Sequence, residues 1–277
     1  MAGALGEKIG EGSMSDVHAW APGQVVKLFK AGIPRRIPWW EARMTRAVFA
    51  AGGPAPKVLD EVKVEGRRGL VLPRLEGPTL LQLLQTDAMP LREAGAILAA
   101  LGLSVHQTPT PPDVLSIRDY MAGSLRPPDA QIPERVAAGI LALVDRLPTD
   151  ERLAHCDLHP GNVIMTAEGP RLIDWTGTKR GGAPLDLAVC HFLRTELVVE
   201  SLGSPERQQA LSAAMQCEYA RLAGKSPEAL RTAMEAHLPI VRVFFLLSGV
   251  ARPATRERLL QRLEADLRSE DALGAPE

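Results

Sequence analysis

The 277-residue chain is poor in cysteine, carries almost no net charge and contains no long apolar run. Its three cysteines, Cys156, Cys190 and Cys217, are far apart, odd in number and without the C-x-x-C spacing of a structural zinc site. They read as small buried thiols. A formal net charge of -1 gives no overall attraction to a polyanion such as DNA or to an anionic membrane surface. No stretch reaches the roughly 18 apolar residues of a membrane span, and "MAGALGEKIGEGSMSD" lacks the basic region and apolar core of a secretory leader. The expectation is a cytoplasmic protein with no nucleic-acid and no membrane partner. Internal repeats are missing, and "TPTPPD" is the one biased segment.

What is present is enough for a large core: 45% hydrophobic and 23% charged residues over this length build one large domain or two lobes. Up to about Leu75 the chain is strand-rich, with short β-branched runs broken by Pro and Gly. A single helix interrupts them through "WWEARMTRAVFAAGG", where Ala42, Val48 and Phe49 supply a partial apolar face and Gly52-Gly53 end it. Beyond Gly77 helices dominate. "MPLREAGAILAALGLSVHQ" puts Leu91, Leu98, Leu101 and Val105 on one stripe, and a further helix runs around Arg135 to Leu147. "NVIM" and "RLIDW" are short strands, and from Asp186 the chain reads as nearly continuous helix, with "LPIVRVFFLLSGV" as a core element. The fold class is α+β: a small antiparallel-sheet lobe over 1–76, a link near Arg74 to Gly77, and a larger, mainly helical lobe over 77–277.

The N-terminal part carries two charge-handling patterns. "IGEGSMSDV" sets Gly10, Gly12 and Val17 in the G-x-G-x-x-G-x-V spacing of a loop that covers nucleotide phosphates, with Ser15 in place of the third glycine. By itself this is equally a hairpin turn. Ten positions after Val17, Lys27 lies in "QVVKLFK", and strand alternation puts it on the face of Val25. A lysine there holds phosphates as a compact cation, and Glu41 on the following helix is the carboxylate to keep it in place. The alternative is that both are solvated surface charges.

The densest chemistry lies in "LAHCDLHPGNVIM", where His155, Asp157, His159 and Asn162 fall within eight positions between apolar runs. Such residues are costly to bury without partners. Asp157 precedes Asn162 by five positions, and Asp174 closes "RLIDW" twelve positions further on. That is the kinase spacing of a base and two Mg²⁺ ligands, with room between them for a tight strand pair. His155 takes the place of the buried, hydrogen-bonded histidine that begins such a loop.

"HCDLHPGN" and "LIDW" closely resemble the H-x-D-x-H-x-x-N and I-D-[WFY] hallmarks of the aminoglycoside phosphotransferase and choline kinase superfamily. "GGPAPKVLD", "LVLPRLEGPTL", "LSVHQ" and "PLDLAVC" agree, so the likeness spans most of residues 5 to 195. The resemblance implies a two-lobed protein-kinase-like fold and transfer of the γ-phosphoryl of ATP or GTP, with Mg²⁺, to a hydroxyl of a small molecule. It implies Asp157 as base, Asn162 and Asp174 as metal ligands, Lys27 as phosphate clamp and Glu41 as its partner. Gly10, Gly12, Ser15, Val17 and Val25 would then face the nucleotide, together with Leu72, Arg74 and Leu75 of the hinge. For Asp186 two readings stand, a brace for the catalytic loop or an acidic residue favoured by a helix N-terminus.

Trp175 and Thr176 replace the Phe-Gly of protein kinases, and eleven residues separate Asp174 from Asp186 with no A-P-E motif. That interval leaves no room for a peptide-docking platform and favours a small acceptor. The alternatives are an atypical protein kinase and a nucleotide-binding regulator without turnover. Glu196, Glu200, Glu206, Glu218, Glu228 and Glu235 could line a pocket for a polycationic acceptor, or simply be solvated charges. The acceptor's identity and the oligomeric state are not legible.

Overall fold

The computed structural model describes residues 5–126, 132–197, 202–248 and 252–274, with side chains of the last helix described through Arg268. Its first element is a five-stranded antiparallel sheet in the order β1-β2-β3-β5-β4. The strands are β1 (Lys8–Glu11), β2 (Ser15–Ala19), β3 (Gln24–Phe29), β4 (Asp60–Val64) and β5 (Arg67–Pro73). β1 and β2 make the glycine-bearing hairpin, closed by the Gly12 N–H donating to Ser15 O at 2.8 Å. In the register of β3, Val17 and Leu70 flank Lys27, and Leu72 lies opposite Val25. Paired residues share a face, so Lys27 emerges from an apolar surface.

Helix α1 (Arg36–Ala50) packs on that surface through Ala42, which clusters with Phe29 and Leu70. It starts three residues before the expected "WW". Its apolar face also differs from expectation, because Phe49 is 45% exposed and Met44 is fully buried in its place with Val48. Met44 lies four residues before Val48, one turn away on the same face, whereas Phe49 lies about 100° around the helix from Val48.

The C-terminal part contains α2 (Leu80–Gln85), α3 (Leu91–Gln107), α4 (Ile117–Leu125), α5 (Glu134–Arg146) and the two-residue strand β6 (Leu153–Ala154). A 3-10 turn (Pro160–Asn162) then leads to the hairpin β7 (Val163–Thr166) and β8 (Gly169–Leu172), followed by β9 (Lys179–Arg180). The run of helix after it is broken into α6 (Gly182–Thr195), α7 (Pro205–Ala223), α8 (Pro227–Glu235), α9 (Leu238–Leu247) and α10 (Pro253–Gly274). The breaks have local causes. Ser204 and Ser226 cap α7 and α8 by accepting N–H bonds from Arg207 and Ala229, each with proline next in line, and Gly224 ends α7 at φ 61°.

One core unites these helices. Leu98 and Val105 of α3, Leu211 and Met215 of α7, and Ile240, Val243 and Leu246 of α9 are at most 1% exposed. α3 and α7 approach closely because Gly95 has no side chain: a Cβ there would come within 2.7 Å of the Ala214 methyl. Arg242 is also buried in α9, where Glu196 receives it in a two-pronged pair at 2.7 and 2.8 Å and Asp266 takes its third nitrogen. Among the thiols, Cys156 and Cys190 are buried as expected but Cys217 is exposed, since its place on α7 faces away from α3.

The link between sheet and helices is fixed on one side. Met165 N–H donates to Pro78 O at 2.9 Å, and Gly77 (φ 144°) lies so close to β7 that a Cβ there would fall 1.9 Å from Met165 O. No described helix is long and apolar enough to cross a membrane.

Candidate active site

The loop after β6 is shaped by a carboxylate from another element. Asp186, fully buried on α6, accepts the backbone N–H groups of His155 (2.9 Å) and Cys156 (2.7 Å). These bonds hold Cys156 at φ 60°, a left-handed conformation that an L residue takes only when its surroundings impose it. Asp186 Oδ2 also meets His106 Nε2 at 3.1 Å, and the other ring nitrogen meets the Tyr219 hydroxyl at 2.7 Å. Nε2 therefore carries a proton toward the carboxylate, and Nδ1 pairs with the Tyr219 hydroxyl. Burial works to raise the Asp186 pKa, but the contact with His106 and the hydrogen bond from the His155 backbone hold it below the usual range. Of the two sequence readings, the geometry is that of the brace, since Asp186 lies beyond the first turn of α6.

His155 and Cys190 complete the frame. His155 accepts the Asp157 N–H on Nδ1 and donates from Nε2 to Ile173 O, both at 3.2 Å. Its ring stands edge-on to the fully buried Trp175, 4.6 Å between centroids. Burial lowers its pKa, in keeping with the neutral ring this pattern requires. The Cys190 thiol, pushed up to about 12 by burial, donates to Leu158 O at 3.0 Å.

Asp157 then projects into the cleft with 37% of its side chain exposed. Asn162 Nδ2 donates to both its carbonyl and its Oδ2 at 3.0 Å, so the acceptor atom of Asn162 is Oδ1. The protein around the carboxylate, and next the charge of Asp174, raise the Asp157 pKa to about 8. His159 flanks it, with Nε2 3.7 Å from Oδ1, and is held neutral by burial with a pKa of about 4.

Asp174 joins this loop to the sheet. At φ 64° it turns its Oδ2 to within 3.0 Å of Lys27 Nζ, while Glu41 Oε1 lies 2.6 Å from the same ammonium. Thr176 Oγ1 reaches both carboxylates. Burial opposes ionisation of Asp174, but the Lys27 charge and the bonds from Thr176 and Lys27 outweigh it and hold the pKa at about 2. Lys27 is raised despite its burial by the two carboxylates, and burial pushes the deeper Glu41 up. Lys27 is thus shared between the two carboxylates. The following segment is anchored by Lys179, whose ammonium lies 5.9, 4.8 and 5.3 Å from the ring centres of Trp40, Tyr120 and Phe244. It also donates to the carbonyls of Gly177 and Thr178.

Lys27, Glu41, Asp157, Asn162 and Asp174 therefore meet in one cleft. Val17, Val25 and Leu72 lie on the Lys27 face of the sheet by register, with Gly10 and Gly12 in the neighbouring hairpin. Ser15 is buried beside the turn of the hairpin, Leu75 is half-buried, and Arg74 turns outward to Glu76 at 2.7 Å. Of the six candidate acceptor-pocket glutamates, Glu196 is held by Arg242, Glu218 by Arg221, and Glu235 lies 3.9 Å from Arg231. Glu206 and Glu228 stand in the first turns of α7 and α8, and Glu200 lies outside the described residues. The buried partners His106 and Lys179 were not singled out by sequence reasoning, because nothing local marks them.

The sequence model described as "APH: Phosphotransferase enzyme family" matches residues 16–224. The chain belongs to the phosphotransferase enzyme family. No curated protein matches it. Among solved structures, a thermostable mutant of aminoglycoside phosphotransferase APH(4)-Ia, in ternary complex with AMP-PNP and hygromycin B, is 19% identical with a TM-score of 0.62. That likeness covers 98% of this chain and 95% of the other. A choline/ethanolamine kinase family protein from Mesorhizobium loti is 18% identical with a TM-score of 0.56, over 95% and 87% of the two chains. The GDP and kanamycin complex of APH(2")-IIia is 13% identical with a TM-score of 0.54, over 99% and 95%. The kinase-like fold expected from the motifs is thereby established, with this phosphotransferase's sheet and helices in the same arrangement.

Proposed function

We propose that this phosphotransferase moves the γ-phosphoryl group of ATP or GTP to a hydroxyl of a small molecule, acting in the cytoplasm through two lobes divided between residues 76 and 77. The observation that carries the proposal is the Lys27–Asp174 contact at 3.0 Å. It brings the phosphate-clamp lysine of the sheet and the acidic residue after the catalytic loop to a single point, with Asp157 beside them. A structural ion pair needs neither Asp157 nor Asn162 nearby.

In this reading Asp157 accepts the proton of the acceptor hydroxyl. The acceptor oxygen forms the new P–O bond, and the bond to the nucleoside diphosphate breaks. Lys27 holds the phosphates, and Glu41 holds Lys27. Asn162 through Oδ1 and Asp174 through its carboxylate are oxygen donors of the kind Mg²⁺ takes. Such a site would draw its remaining oxygen donors from phosphate and water. The cation would offset phosphate charge.

A small acceptor is supported by the interval after Asp174. It is taken up by β9 and the start of α6, with Arg180 N–H bonded to Leu115 O at 2.9 Å and Lys179 anchored among three rings. No peptide-sized shelf is left there. The related structures bound to hygromycin B and kanamycin are consistent with hydroxylated acceptors. The test is transfer from radiolabelled ATP and GTP to a panel of small hydroxylated compounds, beside peptides and folded proteins. Transfer to a small compound is expected. Transfer confined to peptides would overturn the acceptor class, and absence of nucleotide binding would overturn the whole reading.

A further inference from the structure

Thr176 stands where the sheet and the catalytic loop meet. Its Oγ1 lies 2.9 Å from Glu41 Oε2 on α1 and 2.8 Å from Asp174 Oδ1. The remaining oxygen of each carboxylate belongs to one ammonium, with Lys27 Nζ 2.6 Å from Glu41 Oε1 and 3.0 Å from Asp174 Oδ2. These four contacts close a ring: two carboxylates bridged on one side by Lys27 and on the other by Thr176. The bridges are chemically unlike. An ammonium has three protons and serves both carboxylates at once, whereas a threonine hydroxyl has one. Thr176 therefore donates fully to one carboxylate at a time, over two paths of nearly equal length.

The choice matters for Asp174. A hydroxyl proton on Oδ1 competes with a divalent cation for the electron density of that oxygen, and a proton turned to Glu41 does not. We propose that Thr176 is a positioning residue that couples helix α1 to the metal ligand Asp174, a proposal that rests on Asp174 being a Mg²⁺ ligand. Without the cation its proton lies on Asp174. When the cation arrives, the proton turns to Glu41, holding α1 and, through Glu41, the Lys27 clamp. Because coupling between two sites is reciprocal, a seated α1 in turn favours cation binding.

The test is calorimetric binding of ADP to wild type, Thr176→Val and Thr176→Ser, each in EDTA and in Mg²⁺. Valine keeps the shape and removes the hydroxyl; serine restores it. The proposal expects Thr176→Val to bind ADP in EDTA within about twofold of wild type, and to lose roughly tenfold of the gain that Mg²⁺ confers, the scale of one hydrogen bond to a charged group. Thr176→Ser should recover most of that gain. In a Glu41→Gln background, where the acceptor is weakened, the valine substitution should change the Mg²⁺ gain far less. An equal loss of affinity with and without Mg²⁺ would show a packing role and overturn the coupling, as would an unchanged gain. If wild type itself shows ADP binding but no Mg²⁺ gain, the metal-ligand reading fails and this proposal with it.

Discussion

Removing the Asp186 carboxylate tests how the loop that carries Asp157 is held. In Asp186→Ala two buried backbone N–H groups, on His155 and Cys156, and the His106 ring lose their acceptor together. Each unsatisfied buried group costs about 1–3 kcal/mol, and the terms do not add fully once water enters the space, so the loss is about 3–5 kcal/mol. At about 2–4 °C per kcal/mol for a chain of this size class, the melting temperature should fall by roughly 10 °C. A carboxylate merely favoured by a helix N-terminus is worth about 0.3–1 kcal/mol, or ~1–4 °C. Thermal unfolding followed by circular dichroism separates the two. Asp186→Asn, which keeps one acceptor, should fall in between. The pH dependence adds a sign: the folded-state pKa of Asp186 is lowered, so its contribution is present above the unfolded value of about 3.9 and fades as pH falls through the folded one. The gap between wild type and Asp186→Ala should therefore close in acid. A fall of less than 3 °C for the alanine variant at pH 7 would refute the bracing argument.

Three further outcomes are expected. Asp157→Asn should lower turnover by roughly 10²-fold or more. It should also stabilise the nucleotide-free protein, because a folded pKa of about 8 above an unfolded value of about 3.9 means stability is lost as pH rises between them. Melts at pH 5 and pH 8 check this: the variant's advantage should grow with pH, and no advantage at either would count against it. Lys27→Ala and Glu41→Ala should each weaken nucleotide binding, and the double variant should do little more harm than the worse single one. Simple additivity in a binding titration would separate their roles. Arg242→Ala, far from the cleft, should cost about 3 kcal/mol in denaturant unfolding, because it leaves Glu196 and Asp266 without their shared cation. A loss under about 1 kcal/mol would show that water replaces the guanidinium.

The site was legible where its chemistry is local. Asp157 and Asn162 are five positions apart because a loop and one 3-10 turn join them, and Asp174 follows across a tight hairpin, so spacing alone carried the pattern. Lys27 and Glu41 were nameable as a pair from strand alternation, although only the packing of α1 decided against two solvated charges. What supports the site was not legible. His106 reaches Asp186 across eighty positions of sequence, and Lys179 gathers rings from α1, α4 and α9. No periodicity links such residues. Arg242 sits in an apolar run, and its partners lie far off in sequence, Glu196 at the end of α6 and Asp266 on α10. Phe49 misled because hydrophobicity was counted without the geometry of the face, which Met44 completes.

The close seat of Gly77 against Met165 O has a mechanical consequence. A chain segment pressed onto β7 and tied by the Met165–Pro78 bond is held to the helical side, so whatever freedom the connection to the sheet has must lie upstream of it, in residues 73–76. Arg74 N–H is itself tied to Gly23 O at 2.9 Å, on the sheet side. Only Leu75 and Glu76 separate the segment anchored to the sheet from the one anchored to β7. Any change in the angle between the sheet and the helices is thereby confined to the backbone of Leu75 and Glu76, and the side chains carried by the sheet, Lys27 and the glycine hairpin among them, would move with it as one piece.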